Sequence, residues 1–270
     1  MAIVNVTPDS FYDGSRTPDE GALERRIAQV MAEGASIVDV GGYSSRPGAD
    51  PVPADEEWRR VERGLRAVRR LDGRAVVSVD TFRSEVAERA IEAFGPLIVN
   101  DISAGELDGR MASVVARYDV PYIAMHMKGD PQTMQSLTDY RRDIVTEVVS
   151  YFERRIERFA EAGIRRERLI LDPGFGFAKT LEQNYELLAG LDRLAALGLP
   201  VLAGLSRKSM IYRLLDTAPG EALAGTIALG WECLRQGATI LRVHDVREAV
   251  DTVRIFHTYR QNTVLWQTKR

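Results

Sequence analysis

The segment SIVDVGGYSSRPGADPVPADEEWRRVERGLRAVRRLDGRAVVSVDT, residues 36–81, decides the fold. It opens on a short apolar, β-branched run at 36–40 and passes through a glycine- and proline-rich loop at 43–53. A stretch of helical character follows, and a second apolar run stands at 75–79. Short β-branched runs bounded by turn residues read as buried strands, and their alternation with helices reads as parallel βαβ units. Outward from this segment the same unit recurs along the whole chain. Strands are predicted at 2–6, 36–40, 75–79, 97–100, 121–126, 169–172, 200–205 and 239–244. Eight alternations in 270 residues predict the α/β class and a (β/α)8 TIM barrel in one domain, residues 1–270, since such barrels close within about 250 residues.

The intervening stretches carry apolar stripes of helical period. Leu23, Ile27, Val30 and Met31 form one, and Ile144, Val148, Val149, Phe152, Ile156 and Phe159 another. Gly34, Gly163, Gly198 and Gly237 each stand between a helical stretch and the next strand, where a helix C-terminus calls for a left-handed residue. Charged clusters such as Arg59-Arg60 and the run 165–168 are expected on solvated helix faces and ends. No linker-like or low-complexity tract divides the chain.

Thirty-six Lys and Arg against 39 Asp and Glu leave a formal charge of -3, which speaks against a nucleic-acid partner. No run of 18 apolar residues occurs, so no membrane-spanning helix is predicted. The single cysteine, Cys233, falls in a helical pattern and has no intrachain partner. With no export signal at the N-terminus, this predicts a cytoplasmic, reducing location.

In a (β/α)8 barrel the chemistry lies at the C-terminal strand ends and the loops that follow. Those ends carry Asn5, Asp39, Asp80, Asn100 with Asp101, His126, Asp172, Ser206 with Arg207 and Lys208, and Arg242 with His244 and Asp245. One such residue could simply cap a helix or order a loop. A whole ring of them predicts a binding mouth, because unpaired charge buried there costs several kcal/mol. Asp80, Asn100 and Asp172 are acceptors suited to the N–H edge of an amino-pyrimidinone ring, and Ser45, Arg46, Arg242 and His244 are donors suited to phosphate oxygens. The predicted ligand is an N–H-rich heterocycle carrying a phosphate or diphosphate. Two long loops, 7–18 and 43–53, are expected to act as lids or binding loops.

The strings NVTPDSFYDGSR at 5–16 and DVGGYSSRPGA at 39–49 resemble the first and second signatures of the dihydropteroate synthases. The resemblance continues in order through SVDT at 78–81, NDISAG at 100–105, MHMKGDPQTMQ at 125–135, DPGFGFAKT at 172–180, SRKSMI at 206–211 and RVHD at 242–245. It departs at Tyr43 and Ser45, where the family more often has Glu and Thr.

The resemblance implies a transferase that joins 6-hydroxymethyl-7,8-dihydropterin diphosphate to p-aminobenzoate in folate biosynthesis, with Mg2+ as cofactor. It implies a pterin pocket of Asp80, Asn100, Asp172 and Lys208, and a diphosphate site of Asn5, Ser45, Arg46, Arg242 and His244, with Asn5 as the metal ligand. It further implies that Asp13 closes the site around the amine. Phe11, Pro47 and Phe177 would collar the aryl ring, and Ser209 would sit by the aryl carboxylate at a helix start. Asp13, Arg46, Asp80 and Lys208 are the expected catalytic groups. Competition of sulfonamides with p-aminobenzoate and a homodimer built on late outer helices, with Trp231 or Trp266 at the interface, follow from the same likeness. Two rivals remain open at this point: a pterin-binding methyltransferase, and a barrel that binds a pterin without turning it over.

Overall fold

The computed structural model describes residues 1–7, 20–44 and 51–267. Among these, the strands are β1 (Ala2–Asn5), β2 (Val38–Gly41), β3 (Val77–Asp80), β4 (Ile98–Asp101), β5 (Tyr122–Met125), β6 (Leu169–Asp172), β7 (Leu202–Ala203) and β8 (Ile240–Leu241). The helices that lie between and after them are α1 (Glu20–Ala32), α2 (Ala54–Leu71), α3 (Ser84–Phe94), α4 (Met111–Tyr118), α5 (Ile144–Glu161), α6 (Leu181–Ala189), α7 (Leu191–Ala195), α8 (Ser209–Tyr212), α9 (Leu223–Arg235) and α10 (Val246–Gln267).

Strands β1 to β6 pair in sequence order, all parallel, and β7 pairs with β8. Two narrow seams close the ring. At one, Leu171 bridges Val201, with Leu171 N–H on Pro200 O at 2.9 Å; at the other, Ala2 bridges Val243, with Ile3 N–H on Val243 O at 2.9 Å. The result is the predicted (β/α)8 barrel. The expected strands at 200–205 and 239–244 are shorter than predicted. Beyond Ala203 the carbonyl of Leu205 accepts Lys208 N–H at 3.1 Å, so the chain turns instead of extending the ladder.

Alternation along each strand separates two cores. Val38, Val40, Val77, Val79, Tyr122, Leu169 and Leu171 face outward into the large cluster shared with the helices. Ile98, Ile123 and Leu202, with Met1, Ile37, Ile170 and Ile240 against them, form an apolar layer of their own inside the barrel. Above that layer the inward positions turn polar.

The helices pack as their stripes predict. Leu23, Ile27 and Val30 of α1 and Ile144, Val148, Phe152 and Phe159 of α5 are buried. Asp143 caps α5 by accepting Thr146 N–H at 2.8 Å, and Thr180 with Gln183 forms a capping box on α6. Acidic Asp55, Glu56 and Glu57 open α2 and basic Arg69 and Arg70 close it, matching the helix dipole. Gly64 lets α2 lie close on β2, since a Cβ there would stand 2.5 Å from Val40 Cγ1. The charged clusters are solvated ion pairs: Arg59 and Arg60 on Glu56, and Arg165 and Arg168 on Asp119. The four predicted bottom-loop glycines all have positive φ.

Candidate active site

Parallel register sets the site. Asn5 pairs with Gly41, Gly41 with Asp80, and Asp80 with Asn100, so four successive strands deliver these residues at one level. Glycine at 41 keeps the neighbours close: a Cβ there would stand 3.4 Å from both Asn5 Oδ1 and Asp80 Cβ. Across the barrel, Asp172 ends β6 and Arg242 follows β8, while Lys208 comes from the turn after β7.

Arg242 organises the floor. Its Nε donates to Asp39 Oδ2 at 2.7 Å, and its Nη2 donates to Asp80 Oδ2 at 2.6 Å. Asp39 is fully buried and also accepts Asn100 Nδ2 at 3.2 Å. The Asn100 side-chain oxygen is therefore left as the acceptor. Asp172 is buried, with one oxygen accepting Gly174 N–H at 2.8 Å. Lys208 donates to Phe175 O, and its ammonium lies 4.6 Å from the Phe177 ring centroid. Phe177 and Phe82 pack on a small apolar cluster of Ile102, Met125, Met127, Met134 and Ala178. The mouth thus interleaves acceptors with two cations, Arg242 against Asp39 and Asp80 and Lys208 near Asp172, beside an apolar wall.

Burial governs the titration of these groups. It pushes the Asp80 carboxyl up to about 7 against the pull of Arg242, with Asp39 adding repulsion. Burial also raises Asp172, offset by Lys208 and the Gly174 N–H. It brings the Lys208 ammonium down to about 8, with Asp172 holding it up. Asp80 is therefore ionised above about 7 and Lys208 charged below about 8. A ligand that donates N–H groups to the first and accepts from the second should bind best between those values. Affinity should fall by about tenfold per pH unit outside each limb; a flat pH profile in calorimetry from 6 to 9 would contradict this assignment.

Four expectations are corrected. Asp101 faces outward, because it stands one residue from the inward Asn100; it accepts Ser103 N–H, Gly105 N–H and the Tyr122 hydroxyl and is structural. His126 likewise stands one residue from the inward Met125 and lies against Tyr151 and Lys179. Arg207 turns away to Asp245 and the carbonyls of Pro219 and Gly220. Ser209 opens α8, which has only four residues, so the helix dipole adds less for an anion than predicted. His244, two residues after Arg242, meets Ser206 Oγ through Nδ1 at 3.1 Å.

Asp13, Ser45, Arg46, Phe11 and Pro47 lie outside the described residues, as does the Trp266 side chain. Tyr43, the departure in the second signature, packs edge-on against Phe82 at 5.1 Å and lies 5.3 Å from the Arg83 guanidinium. Arg83 in turn bonds Glu57 and Val52 O. Sequence reasoning missed two participants: Glu57 as the buried anchor of Arg83, and Lys179. Asp39 belonged to the expected ring, and the structure makes it the floor of the site, facing inward with Gly41 two residues on.

The chain matches the family model described as pterin binding enzyme over residues 1–244. It is 43% identical to the dihydropteroate synthase of Escherichia coli K12 over 256 residues, which is 94% of this chain and 89% of that protein. It is 41% identical over 265 residues to the folic acid synthesis protein fol1 of Schizosaccharomyces pombe, covering 96% of this chain but spanning only about a third, 36%, of that longer protein. The solved structure of Yersinia pestis dihydropteroate synthase with a sulfonamide drug superposes with a TM-score of 0.89 at 38% identity, covering 97% of this chain and 94% of that one. A parallel barrel, a mouth of inward Asp, Asn, Lys and Arg, and this likeness along nearly its full length together place the chain among the dihydropteroate synthases of the pterin-binding enzyme family.

Proposed function

We infer that the chain condenses 6-hydroxymethyl-7,8-dihydropterin diphosphate with p-aminobenzoate, releasing diphosphate and 7,8-dihydropteroate. The observation that carries this is the composition of the mouth. Asp80, Asn100 and Asp172 supply acceptors for the N–H edge of the pterin, and Lys208 and Arg242 supply positive charge within the same small space. In the reaction the C–O bond to the diphosphate breaks, the aryl nitrogen bonds to the freed carbon, and that nitrogen gives up a proton. Asp80 and Asp172 favour the positive charge that builds on the pterin as the diphosphate leaves. Arg242, held rigid by Asp39 and Asp80, would with His244 receive the departing anion. Lys208 packs over Phe177, which makes an apolar face for the aryl ring. Asp13, Ser45 and Arg46 complete the amine and diphosphate sides in this scheme.

Mg2+ fits as a shared ligand of protein and substrate. Among the described residues no three carboxylate, histidine or cysteine groups come together as a cage. Asn5 offers one amide oxygen beside Asp80 across Gly41, the kind of partial set Mg2+ accepts when water and phosphate oxygens provide the rest. When bound, it would neutralise charge on the leaving diphosphate.

A methyltransferase would have no use for the diphosphate donors, and the 43% identity to a synthase along nearly its full length favours the synthase over both rivals. The deciding experiment supplies purified protein with Mg2+ and the dihydropterin diphosphate, with and without p-aminobenzoate. Diphosphate release that requires the aryl amine, matched by dihydropteroate formed, establishes the activity; binding without release overturns it. Sulfonamides should compete with p-aminobenzoate, raising its apparent KM and leaving kcat unchanged. Uncompetitive inhibition against the amine would rule out a shared pocket.

The same proposal includes a homodimer and a cytoplasmic location. No helix among the described residues is long and apolar enough to cross a membrane. Leu214, Leu215, Ile227, Ile255 and Tyr259 are exposed late in the chain, on and beside α9 and α10, and Trp231 packs between Phe256 and Tyr259 behind them. Sedimentation at micromolar concentration tests the dimer, and a monomer there would remove it.

A further inference from the structure

The ammonium of Lys179 is buried, and among the described residues it makes no ion pair with a carboxylate. All three of its protons have acceptors instead: His126 Nδ1 at 3.0 Å, Gly174 O at 3.0 Å and Phe177 O at 2.9 Å. Burial holds His126 well below its ordinary range, with Lys179 adding to the effect, so the imidazole is neutral and can accept. Burial likewise brings Lys179 down to about 7, with Asp172 drawing it up. A buried cation without a contact anion costs more than an apolar side chain of the same length, so its retention calls for a role.

The two carbonyls it grips begin and end one turn. Gly174 opens the turn at φ +69°, so close to the neighbouring strand that a Cβ would stand 2.0 Å from His126 O. The same glycine gives its N–H to Asp172 and accepts Phe177 N–H at 3.1 Å. Phe175 inside the turn accepts Lys208, and the Phe177 ring at its end lies under the Lys208 ammonium. Three groups of the mouth therefore hang on one short loop, and Lys179 is the pin beneath it. We propose that Lys179 is a positioning residue for the aryl amine, fixing the Gly174–Phe177 turn so that the Phe177 ring stands ready beside Lys208.

This rests on the synthase activity proposed above. The test is a double-mutant cycle of Lys179→Met and Phe177→Leu, read by steady-state kinetics, with pterin affinity measured in parallel. Lys179→Met should raise the KM for p-aminobenzoate about tenfold, lower kcat by less than about threefold, and leave pterin affinity within about threefold. In the Phe177→Leu background it should add less than about twofold, because the pin then has no ring to hold. Equal losses in pterin and amine binding, or a full tenfold effect in the Phe177→Leu background, would overturn the proposal. If Lys179→Met does not fold, Lys179→Arg keeps donors but misplaces them and runs through the same cycle with the same criteria. Absence of turnover by the wild-type chain would sink the synthase activity and this inference together; normal wild-type turnover with additive variants sinks the inference alone.

Discussion

Asp80→Ala should abolish measurable pterin binding. The carboxylate ends β3 at the level of Asn5 and Asn100 and faces the open mouth while one oxygen holds Arg242. Hydrogen bonds to a charged acceptor contribute about 1.5–3 kcal/mol each, so loss of a two-point contact should weaken binding by more than about a hundredfold. The substitution leaves Arg242 paired with Asp39, so the floor keeps one of its two ion pairs and the protein should still fold. Calorimetry with a pterin on a protein of near wild-type melting temperature checks this. Unchanged affinity would remove Asp80 from the pocket.

Arg242→Met should cost both stability and turnover. Arg242 is the ion-pair partner of Asp39, which is fully buried, and of Asp80. Its removal leaves buried negative charge without compensation, a loss of about 3–5 kcal/mol and roughly 10 °C in melting temperature for a chain of this size. Adding Asp39→Leu should return most of the stability, since it removes the stranded charge, but no turnover, since the guanidinium proposed to receive the leaving anion is still missing. A melting temperature within 2–3 °C of wild type for Arg242→Met alone, near the limit expected for about 1 kcal/mol, would show that the pair is not holding the floor.

The barrel was legible because its signal is local. Most strands fall in short apolar, β-branched runs, and several return loops need a left-handed residue that glycine supplies, as at Gly34 and Gly237. Asp80, Asn100, Asp172, Lys208 and Arg242 were legible as strand-end polar groups and do converge. Misplacement of Asp101 and His126 came from reading strand ends without counting faces: one residue separates a mouth position from one packed against helices. Lys179 was not legible, because nothing in DPGFGFAKT tells a solvated lysine from one folded back under its own turn. Asp39 was legible as a strand-end group but not as a supporting one. It lies one inward step deeper than the residues a ligand would touch, so its role is to hold Arg242 and Asn100.

The two narrow seams bear on how the ring and its ligand depend on each other. Six strands form a continuous tray that carries the acceptors Asp80, Asn100 and Asp172, and the short β7–β8 pair forms a latch that carries the cations Lys208 and Arg242. A ligand that donates to the tray and accepts from the latch spans the joint between them. Part of its binding energy is then spent keeping the latch shut, and an empty barrel is the form in which the latch works loose most readily.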